Sequence, residues 1–195
     1  MTLIGITGYA RNGKDEVAKV LHDEYGFVVL RFSAPLKDLA LRVDPWVDFD
    51  VGMGAVWYGK VARLSAVVEQ SGWEVAKMYP ETRRFLQELG TGIRDTIDED
   101  FWIKCLSFKA NRLMYEEGES IAIPDVRFPN EADWVRSRGG KIWRVERETL
   151  FDSGVSKDHP SERGVDFIIA DTFIPNFGTL EDLKRRVSWL MRPVE

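Results

Sequence analysis

Residues 8–14 read Gly-Tyr-Ala-Arg-Asn-Gly-Lys, the spacing of a loop that wraps a phosphate group. Glycines let the backbone close tightly, so that several N–H groups point at one anion. A helix starting directly behind adds a positive partial charge. Gly8, Arg11, Asn12 and Gly13 are the binding candidates of this loop, and Lys14 is the group that reaches the outer phosphates. The residue after such a lysine is usually Ser or Thr, whose hydroxyl meets magnesium. Here it is Asp15. A carboxylate in a first helical turn is favoured by the helix dipole but repelled by a triphosphate unless a cation lies between. Magnesium keeps several waters and often meets carboxylates. Asp15 is therefore either a metal group, directly or through water, or a residue that only starts the helix.

A second cluster, Asp125 and Arg127, closes an apolar run. An arginine there could clamp a phosphate bidentately or pair with Asp125 or Glu131. Other chemistries are set aside. The two histidines, His22 and His159, are far apart, and no clustered His/Cys ligand set for zinc exists. The single cysteine, Cys105, cannot form an internal disulfide, which fits a reducing cytosol. It reads as a buried structural thiol in an amphipathic run.

The elements that must position these groups follow from periodicity. Residues 2–7 form a short β-branched strand ending at Gly8, and residues 14–25 a helix stopped by Gly26. A second strand is expected at 27–32 and a helix at 35–43. Residues 44–60 lack a clear period and read as a long loop or cover. Helices are expected at 61–77, 81–89 and 101–115, a third strand at 120–124, and a helix at 129–138. A fourth strand is expected at 141–145, a fifth at 166–170 and a closing helix at 179–191. Alternating strands and helices give an α/β fold with a parallel sheet of about five strands covered by helices on both faces. Ligands in such folds sit at the carboxyl ends of strands. Both residues 8–14 and residues 125–127 fall there.

The bulk numbers agree. The chain has 195 residues, 44% apolar and 30% charged, enough for a single domain over residues 1–195 with a real core. A net charge of -5 argues against a nucleic-acid partner. No apolar run approaches the roughly 20 residues that cross a bilayer, and no signal peptide is read, so no membrane role and a cytoplasmic setting are expected. Self-association, as a homodimer, is left open.

The stretch "GYARNGKDEVA" (8–18) resembles the loop of the bacteriophage deoxynucleoside monophosphate kinases, in which Gly-Lys-Asp replaces Gly-Lys-Ser/Thr. Further pieces resemble that family in its order: "FSAPLKDLA" (32–40), "RRFLQELGTGIRDTIDEDFW" (83–102), "IPDVRFPNEADWVRSRGGKIWRVER" (123–147), "HPSE" (159–162) and "DFIIADTFIPNFGTLEDL" (166–183). The likeness covers most of the chain and is weakest over 44–80. Glu16 departs from it, standing where family members often carry Thr or Ser.

The resemblance implies a P-loop kinase fold, with an inserted helical acceptor region at about 44–115 and a lid at about 148–164. It implies ATP with Mg²⁺ as donor and small-molecule nucleotides as partners, the acceptor being a deoxynucleoside 5′-monophosphate. On that reading Lys14, Asp125 and Arg127 are catalytic and Arg147 joins the donor site. Lys37, Arg83, Gln87, Arg94, Trp102 and Arg127 serve the acceptor, and Asp15 and Asp125 are the metal candidates. Phosphoryl transfer needs positioning and charge neutralisation more than covalent chemistry, and these residue types supply both. Two other readings stay open: a kinase for another small metabolite, such as dephospho-coenzyme A, and a nucleotide-binding regulator without transfer.

Overall fold

The computed structural model describes residues 1–49, 61–147 and 160–192, with the side chains of 160–162 left aside. Residues 50–60, most of the expected lid and His159 lie outside the described residues, as does the side chain of Glu162. The elements in chain order are β1 (Leu3–Thr7), α1 (Lys14–Tyr25), β2 (Val28–Val29), α2 (Ala34–Val43), β3 (Trp46–Asp48), β4 (Val61–Arg63), α3 (Leu64–Ala76) and α4 (Pro80–Thr96). They continue as α5 (Phe101–Asn111), running into a π-helical turn (Arg112–Glu116), then β5 (Ile121–Ile123), α6 (Pro129–Arg136), β6 (Lys141–Glu146), α7 (Pro160–Asp166), β7 (Thr172–Pro175) and α8 (Leu180–Leu190).

Contacts divide the chain into two compact units, Met1–Phe32 with Ile103–Glu195, and Ser33–Trp102. The first unit is a five-stranded sheet in the order β2-β5-β1-β6-β7, and every pairing is parallel. Alternation along β1 sends Leu3 to one face and Ile4 and Ile6 to the other. On one face lie Ile103, Leu106, Leu113, Trp134 and Val135 from α5, the π-helical turn and α6. On the other lie Val17, Val20, Leu21, Leu183 and Val187 from α1 and α8. The helices thus cover both faces, and β1, the strand that delivers the loop, is central and buried throughout. The second unit packs α2, α3 and α4 around Ala40, Val47, Leu64, Val67 and Leu86.

Four expectations need correction. The fifth strand is Thr172–Pro175, not 166–170. Arg144 takes the carbonyls of Val165 and Ile168 with its guanidinium, which removes that stretch from the ladder. Thr172 instead pairs with Trp143. Residues 61–63 begin a strand, not a helix, and pair antiparallel with Trp46–Asp48 inside the expected loop. Val47 is 1% exposed, so burying it favours the ribbon. The helix expected at 81–89 continues to Thr96. Cys105 is exposed on α5 rather than buried. What desolvation it has raises its pKa and keeps it a thiol.

Candidate active site

β1 ends at Thr7 and the chain turns through Gly8, with φ 136°, Arg11 at φ 65° and Gly13 at φ 98°. Two of these positions must be glycine for a spatial reason as well. A Cβ on Gly8 would stand 2.4 Å from the Val145 carbonyl oxygen, and one on Gly13 would stand 2.4 Å from Asn176 Nδ2. The loop is pressed onto the end of β6 and the turn after β7. Asn12 Nδ2 donates to the Val145 carbonyl at 3.0 Å, and Asn176 Nδ2 donates to the Asn12 carbonyl at 2.9 Å. Asn12, 5% exposed, thus braces the loop with its side chain, while Arg11 is exposed. Gly13 is the N-cap of α1 and no side chain caps that end. Lys14 is only 8% exposed, and its Nζ donates to the carbonyls of Gly8 and Tyr9, each at 2.7 Å. The ammonium is folded over the loop it belongs to.

Two residues past β5, the strand paired with β1, Asp125 is 8% exposed. Its Oδ1 accepts the Phe32 N–H at 3.0 Å. The next residues turn into α6 around a buried carboxylate. Glu131 Oε2 accepts the N–H of Arg127 at 2.7 Å and of Phe128 at 3.1 Å. This fixes the backbone that carries Arg127, whose side chain is half-buried. Gly164 packs on the same turn; a Cβ there would lie 2.4 Å from the Arg127 carbonyl oxygen. Arg147 follows β6 and is exposed.

Three side chains at this edge were not singled out by the sequence reading. Arg31, just past β2, forms an ion pair with Asp15 at 2.6 Å. Tyr9, in the loop, donates its hydroxyl to Asp166 at the end of α7. Asn176 braces the loop as described. Each pairs with a residue distant in sequence. Arg31 alone had a usable signal, a charge directly after an apolar strand.

In the second unit, Arg83, Gln87 and Arg94 follow one another along α4 at helical spacing, and all three are half-buried. Arg83 Nε donates to the Lys77 carbonyl at 3.3 Å. Lys37 Nζ lies 5.5 Å from the centre of the Trp73 ring, a cation–π distance. Trp102 is 5% exposed and donates its indole N–H to the Gly90 carbonyl at 3.1 Å.

The residues fit the groups that such a loop would hold. The backbone around Gly8 and Gly13 has no room for a side chain, the start of α1 is left uncapped, and a buried lysine lies over both. A magnesium ion bound chiefly by water and phosphate needs only one or two carboxylates. Asp125 is buried at the right strand end, whereas Asp15 is paired with Arg31.

A parallel α/β sheet with a phosphate loop after its central strand and a lysine at the following helix start defines a P-loop nucleotide-binding protein. The sequence profile of the deoxynucleotide monophosphate kinases matches residues 58–187. The chain belongs to that family and is a phosphotransferase. It is 28% identical to a protein of Acanthamoeba polyphaga mimivirus named as a deoxynucleotide monophosphate kinase, over 96% of this chain and 94% of that one. It is 24% identical to the deoxynucleoside-5′-monophosphate kinase of Escherichia phage T5, over 95% and 94%. Among solved structures, a dephospho-CoA kinase from Campylobacter jejuni is 12% identical, with 97% of this chain and 94% of that chain covered and a TM-score of 0.49.

Proposed function

We propose that the protein transfers the terminal phosphoryl group of ATP to a deoxynucleoside 5′-monophosphate, and that residues 8–14 hold the donor. The observation that carries this is the buried Lys14 ammonium, held by the Gly8 and Tyr9 carbonyls over an uncapped helix start. In that place it neutralises the outer phosphates of the donor, and the loop N–H groups take up the negative charge that shifts to the leaving group. Bound Mg²⁺ would offset the negative charge of the phosphates. Asp125 is the carboxylate that would hold it, directly or through water.

Arg127 contacts the transferred group; the Glu131 carboxylate holding its backbone N–H supports that role. Arg147 serves the donor. Lys37, Arg83, Gln87 and Arg94 serve the acceptor, the cations toward its phosphate and Gln87 toward its base edge. The acceptor phosphate is already ionised near neutral pH, so no strong general base is required. The setting for this chemistry is a cytoplasm.

The test is ADP release from Mg-ATP with dGMP, dTMP, dCMP, dAMP and their ribose counterparts, each against a control without acceptor. Release that depends on a deoxynucleotide is expected. Lys14→Ala should lower kcat/KM by on the order of a hundredfold or more with a melting curve close to wild type. ADP release indifferent to every monophosphate would overturn the reading.

A further inference from the structure

Arg31 Nη2 and Asp15 Oδ1 stand 2.6 Å apart. Asp15 follows Lys14 in the first turn of α1. The backbone around Arg31 is fixed on both sides. Leu30 N–H donates to the Ala122 carbonyl at 3.0 Å, and Phe32 N–H donates to Asp125 Oδ1 at 3.0 Å. The Phe32 ring, 3% exposed, meets Trp134 edge-on with centroids 5.8 Å apart. Arg31 is therefore carried by an anchored strand end, next to the residue that touches Asp125.

Stability gives little reason for this pair. The Asp15 side chain is 72% exposed and that of Arg31 36%, and exposed pairs contribute little. A guanidinium brought to a helix N-terminus also meets the positive end of the helix dipole. Asp15 offsets that cost, but an anion near the same point gives the arrangement a purpose. The sheet order decides which anion. Lys14 is folded onto the loop after β1, whereas Arg31 follows β2, a strand on the side of β1 opposite β6 and β7. In-line phosphoryl transfer needs positive groups on both the donor and the acceptor side, and a guanidinium fork matches phosphate oxygens.

We propose that Arg31 contacts the 5′-phosphate of the acceptor nucleotide, and that Asp15 is a positioning residue that aims Arg31 rather than a magnesium ligand. This rests on the kinase reading given above.

The test compares the wild type with Arg31→Ala, Arg31→Lys, Asp15→Asn and the Asp15→Asn/Arg31→Ala double variant, each first checked by its melting curve. Arg31→Ala should raise the acceptor KM at least about tenfold while the KM for ATP stays within about twofold. Arg31→Lys, which keeps the charge and loses the fork, should fall between. Asp15→Asn should move the acceptor KM in the same direction, add nothing to Arg31→Ala, and leave the magnesium titration midpoint where the wild type has it. An unchanged acceptor KM in Arg31→Ala overturns the role of Arg31. A raised magnesium requirement in Asp15→Asn, multiplying the effect of Arg31→Ala, returns Asp15 to the metal. Wild-type turnover decides the kinase reading separately. Were it absent, calorimetric titration of the four deoxynucleoside monophosphates would carry the test, and equal affinity for wild type and Arg31→Ala, or no binding, would overturn the proposal.

Discussion

At the start of α1, Gly13 holds φ at 98° with no space for a Cβ beside Asn176. Gly13→Ala therefore meets both a strained backbone and a close contact. A residue held in such a region costs of order 1–3 kcal/mol, so the melting temperature should fall by about 2–10 °C. Activity should fall further, because the Asn176–Asn12 brace must move. A thermal melt beside an ADP-release assay checks this, and an unshifted melt would mean that the loop has another arrangement. Residues 8–14 were legible in the sequence because their spacing is local and the strand before and helix after frame it. Asp125 was legible because it ends an apolar run. The partners that hold the loop were not. Asn176 lies 164 positions from Asn12, and Tyr9 lies 157 from Asp166. Asp15 was read against magnesium because nothing in its own stretch points to Arg31.

Helix α8 shows the same contrast one level up. Thr179 is its N-cap. The Asp182 N–H donates to Thr179 Oγ1 at 3.2 Å, and Asp182 Oδ2 accepts the Thr179 N–H at 2.8 Å. The Thr-x-x-Asp spacing is a local helix-start pattern. The Thr179 hydroxyl and N–H, which both donate to Asp182 Oδ2, with Arg185 adding to them, hold Asp182 well below its ordinary value of 3.8, at about 2. The unfolded chain takes up that proton more readily. The cap's contribution is thus complete above the ordinary value and is lost as pH falls through the folded one. Thr179→Ala should cost about 1 kcal/mol near neutral pH, and the gap to wild type should narrow in urea melts run near the folded value. A gap independent of pH would separate Asp182 from the cap. The strand before this helix was misplaced because residues 166–170 and 172–175 are equally apolar. Only the grip of Arg144 on Val165 and Ile168 tells them apart, and no periodicity reports a guanidinium reaching across more than twenty residues.

At the scale of the whole molecule, the second unit is one uninterrupted stretch, Ser33–Trp102, with an apolar centre of its own. The first is assembled from the chain on either side of it. The two cut ends, Phe32 and Ile103, pack in the same apolar cluster of the first unit, so a short connection can join them. A flexible linker of about ten Gly/Ser residues spans roughly 17 Å. A chain in which such a linker replaces residues 33–102 should fold, with α-helical and β-strand circular dichroism and a cooperative melt. It keeps β1, the loop, Lys14 and Asp125, so it should still be stabilised by Mg-ATP, by about 2.7 kcal/mol at a hundredfold excess over Kd. It lacks Lys37, Arg83, Gln87 and Arg94, so it should lose transfer to every monophosphate. Nucleotide-dependent stabilisation without transfer would assign donor binding to the first unit and acceptor selection to the second. A linker chain that melts without cooperativity would make the sheet's own folding depend on the stretch removed, and one that still phosphorylates a monophosphate would take the acceptor residues off α2 and α4.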